Sequence, residues 1–282
     1  MIKRMGFVFV FLFYIAFALI GQDKLAIPIN KSVNQSTLFG VGSMRVTDTY
    51  LSPLEYSGIS LSVLHERLNS SSLLNNKLVF QQQFFLQASS TNNPIGNAKT
   101  YFGNLDYQFI GFYPIIRQNS FRVYGGVGPD LALGGIYNIR NSNNPAQLKT
   151  SINLNAALLA FYQLKLLTLR WQVSSPLVGV FFSPEYGHSY YEIFVLGNNK
   201  GTIHFGSPAN QRGLRNYITA DYPLGKITLR AGYLRNYYRT NINNLVTSIS
   251  SHQFVIGLVF ESLNFGRRDV EKNDWLKSVY YE

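Results

Sequence analysis

The sequence contains no cysteine. This absence excludes disulfide bonds, thiolate catalysis, cysteine-ligated metal and a lipid-modified cysteine. Charged residues are also scarce, because they make up 14% of the 282 residues, against roughly 25% in a typical soluble domain. The chain must therefore rely on hydrogen bonds, apolar contacts and a small number of charges.

Acidic residues are the rarer of the two charge types. The chain has 25 Lys and Arg against 14 Asp and Glu, which gives a formal net charge of +11. Basic chains bind nucleic acid or anionic membrane surfaces, and nucleic acid favours basic residues clustered in a stripe. Here they are scattered singly, apart from the N-terminus and Arg267-Arg268. This scatter indicates that nucleic acid is not a partner.

Long apolar runs are missing from the chain after residue 21. Before it, a basic start (3–4) leads into an apolar run (5–20) that is shorter than the ~20 residues of a membrane-spanning helix. This pattern, with a small residue at its exit, is typical of a secretory signal peptide. We predict a signal peptide over 1–21, cut after Gly21. An uncleaved N-terminal anchor is the alternative, because Leu19 is not ideal near the cut.

Aromatic residues are abundant, with 19 Tyr and 21 Phe, and they must face something apolar. Several segments alternate apolar and polar residues, which is the signature of a β-strand. In 167–174 the odd positions are apolar and the even positions are polar, and the segments 78–87, 101–109 and 227–234 show a similar alternation. The sequence therefore predicts an all-β protein.

The polar faces of these strands distinguish between two architectures. In a soluble β-sandwich they would be rich in Lys and Glu. Here they carry Gln, Asn, Ser and Thr with single charges such as Asp106, Arg170 and Arg230. Such faces suit the hydrogen-bonded lumen of a small barrel whose apolar face meets lipid. A sheet in a membrane must also close, because an open edge would leave unpaired backbone groups in hydrocarbon.

The connections between the strands alternate in length. We predict about ten strands, and a further hairpin at 202–205 ("TIHF") would raise the count to twelve. The predicted strands are 39–50, 56–69, 77–90, 99–114, 120–139, 148–165, 167–182, 213–223, 226–240 and 249–261. Short links alternate with mostly longer, Asn- and Pro-rich links, as the periplasmic turns and extracellular loops of outer-membrane barrels do.

The fold class predicted is therefore all-β, a transmembrane antiparallel up-and-down β-barrel in the cell outer membrane. The predicted organisation is a signal peptide (1–21), a periplasmic N-terminal linker (22–38), the barrel (39–261) and a C-terminal periplasmic tail (262–282). A barrel of this size has a lumen largely filled by side chains, so free diffusion through it is not expected. A narrow pore or small-ligand importer is the first alternative function.

Several motifs carry a resemblance to a known family. These are "VTDTYLSPLEYSG" (46–58), "NIRNSNNPA" (138–146), "PLVGVFFSPEYGHSYYEIFVLGN" (176–198), "HFGSPANQRGLR" (204–215) and "AGYLRNYYRTNINNL" (231–245). The chain from about Val41 to Phe260 resembles a Bacteroides-type family of outer-membrane β-barrel proteins classed as a domain of unknown function. The resemblance implies location and architecture and lends no catalytic residues. The tail beyond Phe260 departs from the family pattern.

The segment "SPEYGHSYYEIF" (183–194) is the main candidate site. It contains the residue types of a serine hydrolase, and His188 with Ser189 would form an outer-leaflet hydrolase as the second alternative function. However, the chain has no G-x-S-x-G elbow. The interpretation we favour is a turn at Pro184 and Gly187, after which aromatic side chains fold inward and cap the lumen. The aromatic residues in question are Tyr186, Tyr190, Tyr191 and Phe194.

In this interpretation Glu185 and Glu192 pair with Arg212 or Arg215. Loops on a rigid scaffold commonly carry binding residues, so we also predict a ligand- or partner-binding surface. Its residues are Glu185, Tyr186, His188, Tyr190, Tyr191, Glu192, Arg212, Arg140 and Asn141.

The expected function is non-enzymatic: a structural or accessory role, or binding of a surface ligand or partner through extracellular loops. The expected partners are outer-membrane lipid and, beyond it, lipopolysaccharide or another outer-membrane protein. No cofactor is expected. No metal is expected either, because His188 and His204 lack a recognised ligand spacing. A local ion pair is expected within His65-Glu66-Arg67.

Overall fold

The structure is a computed structural model that describes residues 32–71, 73–76, 78–118, 120–142, 144–224 and 227–263. The strands are β1 (Ser32–Asp48), β2 (Ser52–Ser70), β3 (Val79–Asn92), β4 (Lys99–Arg117), β5 (Phe121–Asn138), β6 (Ala146–Leu164), β7 (Leu167–Phe182), β8 (Ile203–Gly206), β9 (Gln211–Leu224), β10 (Ile227–Ile242) and β11 (Leu245–Leu263). The short helices α1 (Leu73–Asn76) and α2 (Tyr190–Phe194) lie in connections. No described helix is both long enough and apolar enough to span a membrane.

Ten of the described strands close into a ring. Each strand pairs antiparallel with its neighbour in the chain, except that β9 follows β7 in the ring, and β11 returns to pair with β1. The short strand β8 pairs only with the end of β7, so it lies outside the ring. The predicted antiparallel up-and-down barrel of about ten strands is therefore confirmed. The segment predicted to add a hairpin forms only β8.

Alternation along each strand gives the barrel an apolar exterior and an interior in which polar side chains lie among three buried apolar clusters. In β3, Gln83 and Gln87 are buried inside, whereas Phe84 and Leu86 between them are about half exposed on the outside. In β7, Arg170 and Gln172 point inward and Trp171 points outward. A closed sheet satisfies its backbone groups internally, and an apolar exterior suits lipid. The protein is therefore a transmembrane β-barrel with the architecture of an outer-membrane protein.

The two ends of the barrel differ. The end that carries the connections 49–51, 93–98, 139–145, 183–210 and 243–244 is here called the loop end. The opposite end, called the terminal end, carries the start of β1, the end of β11 and the turns between β2 and β3, β4 and β5, β6 and β7, and β9 and β10. Barrel strands of 14 to 19 residues exceed the ~9–11 residues that cross a membrane. Strands at the loop end can therefore project beyond the hydrocarbon.

One sequence prediction about a boundary is wrong. The linker predicted for 22–38 includes seven residues, Ser32–Leu38, that belong to β1 and pair with β2 or β11. Its polar residues Asn34 and Ser36 resemble a linker in the sequence because they face the lumen, where both are buried. The predicted signal peptide and nearly all of the predicted C-terminal tail lie outside the described residues.

Two of the predicted long loops are also shorter than expected. The connection between β1 and β2 is only 49–51, and β10 turns into β11 through Asn243 and Asn244. These two residues have φ of +52° and +58°, as a two-residue hairpin turn with the twist of the sheet requires. Asparagine tolerates this conformation. Because the turn needs only two residues, both strands extend further than the sequence predicted.

Candidate functional site

The lumen near the terminal end is filled by a network of buried charges. The carboxylate of Glu66 on β2 accepts hydrogen bonds from Arg170 on β7 and from Arg230 on β10, the latter at 2.8 Å between Nη1 and Oε1. Arg230 also bonds both oxygens of Asp221 at 2.7 Å. Gln81 donates to Glu66 at 2.7 Å. These side chains reach across the barrel from different strands, so they link opposite walls of the lumen at this level.

The network corrects the expectation of a local ion pair within His65-Glu66-Arg67. Alternation places Glu66 inside the barrel, while the neighbouring His65 lies on the outer surface and bonds Thr37 at 2.9 Å. Glu66, Arg170 and Arg230 are at most 1% exposed. Buried charges are tolerated when each is paired and hydrogen-bonded. The network therefore stabilises one arrangement of the strands.

A cavity of about 120 Å³ lies in the lumen on the loop-end side of this network. Its wall includes Asp106, Asp130 and Arg215, and an ion pair joins Arg215 to Asp106 at 2.9 Å. At its rim Lys149 pairs with Asp48 at 2.8 Å. A cavity of this volume can hold a few water molecules. Its lining residues do not include Glu66, Arg170 or Arg230, so the cavity and the network occupy different parts of the lumen.

The connection 183–210 covers the loop end and is fixed to the barrel by two tyrosines. The hydroxyl of Tyr50 donates to the carbonyl of His188 at 2.7 Å, and the backbone N–H of Leu148 donates to the hydroxyl of Tyr190 at 2.5 Å. The two tyrosine rings meet edge to face with centroids 6.2 Å apart. Burial raises the pKa of the Tyr190 phenol. These contacts hold the connection against the turn 49–51 and the start of β6.

The helix α2 within this connection begins with a capping box. The hydroxyl of Ser189 accepts from the backbone N–H of Glu192 at 3.2 Å, and the Glu192 carboxylate accepts from the backbone N–H of Ser189 at 2.8 Å. The Ser189 hydroxyl also donates to this carboxylate. These bonds from Ser189 lower the pKa of Glu192 below its ordinary value. Ser189 is thus the N-cap of α2.

The two ring nitrogens of His188 have no hydrogen-bond partner among the described residues. A serine nucleophile requires its base within hydrogen-bond reach. In this structure the Ser189 hydroxyl instead bonds Glu192. The turn predicted before His188 is confirmed, because the His188 N–H donates to the Glu185 carbonyl and Gly187 has a φ of +81°.

Only part of the predicted aromatic cap faces inward. Tyr190 and Ile193, which are three residues apart on α2, face the barrel, and Ile193 is buried. The prediction of inward packing is wrong for Tyr186 and Tyr191, which are 77% and 62% exposed. Phe194 stacks on Tyr190 but is also mostly exposed. Residues three apart on a helix share a face, so Tyr191 lies on the side turned away from the barrel.

The predicted pairing of the loop acids with Arg212 or Arg215 is also wrong. Glu192 is used by the cap of its own helix, and Arg215 points into the lumen toward Asp106. Arg212 lies on the outer surface of β9, where its Nε donates to the Pro208 carbonyl at 2.9 Å. Glu185 is exposed. Arg212 is therefore paired with neither Glu185 nor Glu192.

The predicted site residues Arg140 and Asn141 connect neighbouring turns at the loop end. Arg140 donates to the Asn97 side chain at 2.9 Å, and Asn141 donates to the Leu51 carbonyl at 3.2 Å. Both residues thus tie their own connection to the adjacent ones. Their side chains give the loop end a fixed shape beside the connection 183–210.

The sequence interpretation missed the lumen pocket and a group of arginines on the outer surface. Asp106, Asp130 and Arg215 come from three strands, so spacing in the chain does not reveal that they meet. The arginines near Arg212 could have been found by continuing the alternation of β1 and β10 to the ends of those strands.

Several solved protein structures are similar to this chain. The outer-membrane protease OmpT of Escherichia coli is similar at a TM-score of 0.44 and 9% identity, over 86% of this chain and 99% of that one. The transport unit of the autotransporter AIDA-I of Escherichia coli is similar at 0.42 and 9%, over 88% and 94%. Neisserial surface protein A is similar at 0.32 and 12%, over 82% and 96%. No curated protein sequence matches the chain.

A family model described as a protein of unknown function (DUF3316) matches residues 6–269. The resemblance to a family of unknown function is thereby confirmed, while its Bacteroides-type character stays a prediction. The match covers the whole barrel and the motifs at both ends of the connection 183–210. The chain belongs to this family of proteins of unknown function.

Proposed function

We propose that this outer-membrane barrel is non-enzymatic and non-conducting, and that it binds a partner protein through its loop end. One observation carries the proposal: the connection 183–210 is anchored to the barrel on one side and exposes apolar and aromatic side chains on the other. Its exposed residues are Tyr186, Tyr191, Phe194, Val195 and Leu196, each more than 60% exposed. In this proposal the loop end faces the extracellular side.

Such a surface has the properties of a protein-binding site. Contiguous exposed apolar patches on a fixed scaffold mark interaction sites, and aromatic residues are the commonest anchors of interfaces. The anchors at Tyr50 and Tyr190 order the connection before binding, so less conformational entropy is lost on association. Burying these apolar side chains against a partner would remove them from water, which favours association.

The interior supports the non-conducting part of the proposal. The buried network of Glu66, Arg170 and Arg230 crosses the lumen, and the anchored connection covers the loop end. The Ser189 hydroxyl bonds Glu192 as a helix cap, which removes support for hydrolysis by His188 and Ser189. The alternatives of a pore and of a hydrolase therefore find less support in the geometry than binding does.

Site-specific photocrosslinking in living cells tests the proposal. A photoreactive phenylalanine analogue is placed at Tyr191 or at Phe194, and the matched control carries it at Lys165, an exposed residue of a turn at the terminal end. We expect one discrete crosslinked species from the two loop positions and none from Lys165. Changing Val195 and Leu196 together to Ser should remove that species.

The absence of cysteine allows a separate test of orientation. Tyr191→Cys should react with a membrane-impermeant maleimide on intact cells, whereas Lys165→Cys should react only after lysis. Binding to a partner is refuted if neither loop position crosslinks, or if the species persists when the apolar residues are replaced. Labelling of Lys165→Cys alone on intact cells would reverse the orientation.

A further inference from the structure

Four arginines lie on the outer surface of the barrel near the loop end, and we call them the arginine patch: Arg45, Arg212, Arg235 and Arg239. Their outward direction follows from alternation. Arg45 lies between the buried Met44 and Val46, and the inward positions of β10 include the buried Leu234 and Thr240. All four arginines are exposed.

Strand register brings these arginines together. Arg239 on β10 lies directly across from Arg212 on β9, so their Cβ atoms are about 5 Å apart. On the other side, Arg239 faces Ser248 of β11, which faces Thr47 of β1. Arg45 is two residues from Thr47 on the same face. The guanidinium groups of three strands therefore share one area of the barrel wall.

The charge of the patch is not balanced by neighbouring carboxylates. Like charges directly opposite each other in a sheet are destabilising, and Arg212 and Arg239 form such a pair. The ion pairs between described residues all point into the lumen, and none of them uses an arginine of the patch. At the described outward positions of these strands and of β2, one acidic residue is found, Glu55. It lies across from Thr47, at the edge of the patch. An external anion would remove the repulsion.

The depth of the patch indicates what that anion is. Below it, toward the terminal end, the same face of β1 and β11 presents Phe39, Val41, Phe254 and Ile256, all more than half exposed. Such a band lies in hydrocarbon, where a charge on the lipid face is costly, while near the interface the cost falls to about 0–1 kcal/mol. The arginines thus begin where the strands leave the hydrocarbon. The groups at that level of a bilayer are lipid headgroups.

We propose that the arginine patch binds the phosphate groups of lipopolysaccharide in the outer leaflet. A guanidinium matches a phosphate with two parallel hydrogen bonds. Ser248 and Ser250 lie on the same face of the intervening strand β11 and add hydroxyl donors. The site is a lateral one on the barrel wall, separate from the connection 183–210, and it does not depend on the partner proposed above.

Lipid binding by the purified full chain in nanodiscs tests this site. The probes are lipid A with its phosphates and the same lipid after enzymatic dephosphorylation, and the dissociation constant of each is measured. The test variant is Arg235→Gln with Arg239→Gln. The matched control is Lys99→Gln with Arg117→Gln, which removes the same charge at two exposed positions outside the patch. Gel mobility before and after boiling verifies that every variant is folded.

We expect the wild type and the control to prefer phosphorylated lipid A, and the test variant to bind it about thirtyfold more weakly, since each arginine near a membrane surface contributes about 1 kcal/mol. Equal affinity for the two lipids, or equal loss in test variant and control, would overturn the proposal.

Millimolar inorganic phosphate should not displace the lipid. Full displacement would show a simple anion site and overturn the assignment to a lipid headgroup. Reversed orientation in the cysteine test would overturn the outer-leaflet assignment only.

Discussion

The side chain of Glu66 joins several strands across the lumen. Its two carboxylate oxygens accept hydrogen bonds from Arg170, Arg230, Gln81 and Gln83. These residues lie on three other strands, so one carboxylate joins opposite walls of the ring. Removing one partner from a buried ion pair leaves uncompensated charge, and this costs more than the pair itself contributes.

We therefore expect Glu66→Gln to lower the free energy of unfolding by about 3–5 kcal/mol. The measurement is urea unfolding in detergent, followed by the mobility difference between folded and unfolded barrel on a gel. Glu55→Gln, at an exposed position on the same strand, is the control and should stay within about 0.5 kcal/mol of the wild type. Equal midpoints for the two variants would show that the charge network adds no stability.

At the scale of an element, helix α2 gives the connection 183–210 its shape. A helix of five residues is too short to be stable alone. Its stability comes from the Ser189 and Glu192 cap at its start and from the burial of Tyr190 and Ile193 against the barrel. The exposed face that carries Tyr191 is therefore set by contacts on the opposite face.

Acidification should open this connection. The pKa of Glu192 is lower in the capped helix than in an open chain, so protonation favours the open form. The contribution of the cap is complete above the ordinary carboxyl pKa of about 4.3, and it is lost as the pH falls through the lower pKa of the folded form. We expect cleavage of 183–210 by an acid-stable protease to accelerate over this range. Glu192→Gln should remove the pH dependence, and Glu185→Gln should preserve it; a Glu185→Gln variant that loses it would refute the assignment to Glu192.

The sequence predicted strands better than loops, for a physical reason. The outward direction of Phe84 and Leu86 can be predicted from neighbouring residues alone, because every strand has one face toward lipid and one toward the lumen. The inward direction of Tyr190 and the outward direction of Tyr191 depend on Tyr50, which is 138 or more positions away in the chain. The pairing of Glu66 with Arg170 likewise depends on the closure of the ring. Spacing in the chain carries no information on such contacts.

At the scale of the whole molecule, side chains occupy the lumen at two levels. The anchored connection 183–210 lies over the loop end, and toward the terminal end the network around Glu66 shares the lumen with the buried apolar side chains of Leu68, Phe112 and Phe161. The segment 184–201 begins and ends at one place, since the Ser183 N–H donates to the Thr202 carbonyl at 2.9 Å. The connection can therefore be shortened without opening the barrel.

We expect the wild type to show no current steps in a planar bilayer, and the same result when residues 185–200 are replaced by a short Gly-Ser linker. The buried network still blocks the lumen in that variant. Steps should arise only when Glu66, Arg170 and Arg230 are also changed to Ala. Conductance after the loop replacement alone would show that the connection, and not the network, closes the barrel.

The pairing of β1 with β11 has a consequence for the order of the chain. Ser32 lies directly across from Leu263, about 5 Å away between Cα atoms, so the barrel begins and ends at one point on its rim. A short peptide could join these two residues, and the ring could be opened at Asn243 and Asn244 instead. Such a circular permutant would keep every strand pair, because in a closed barrel each strand has two neighbours wherever the chain begins.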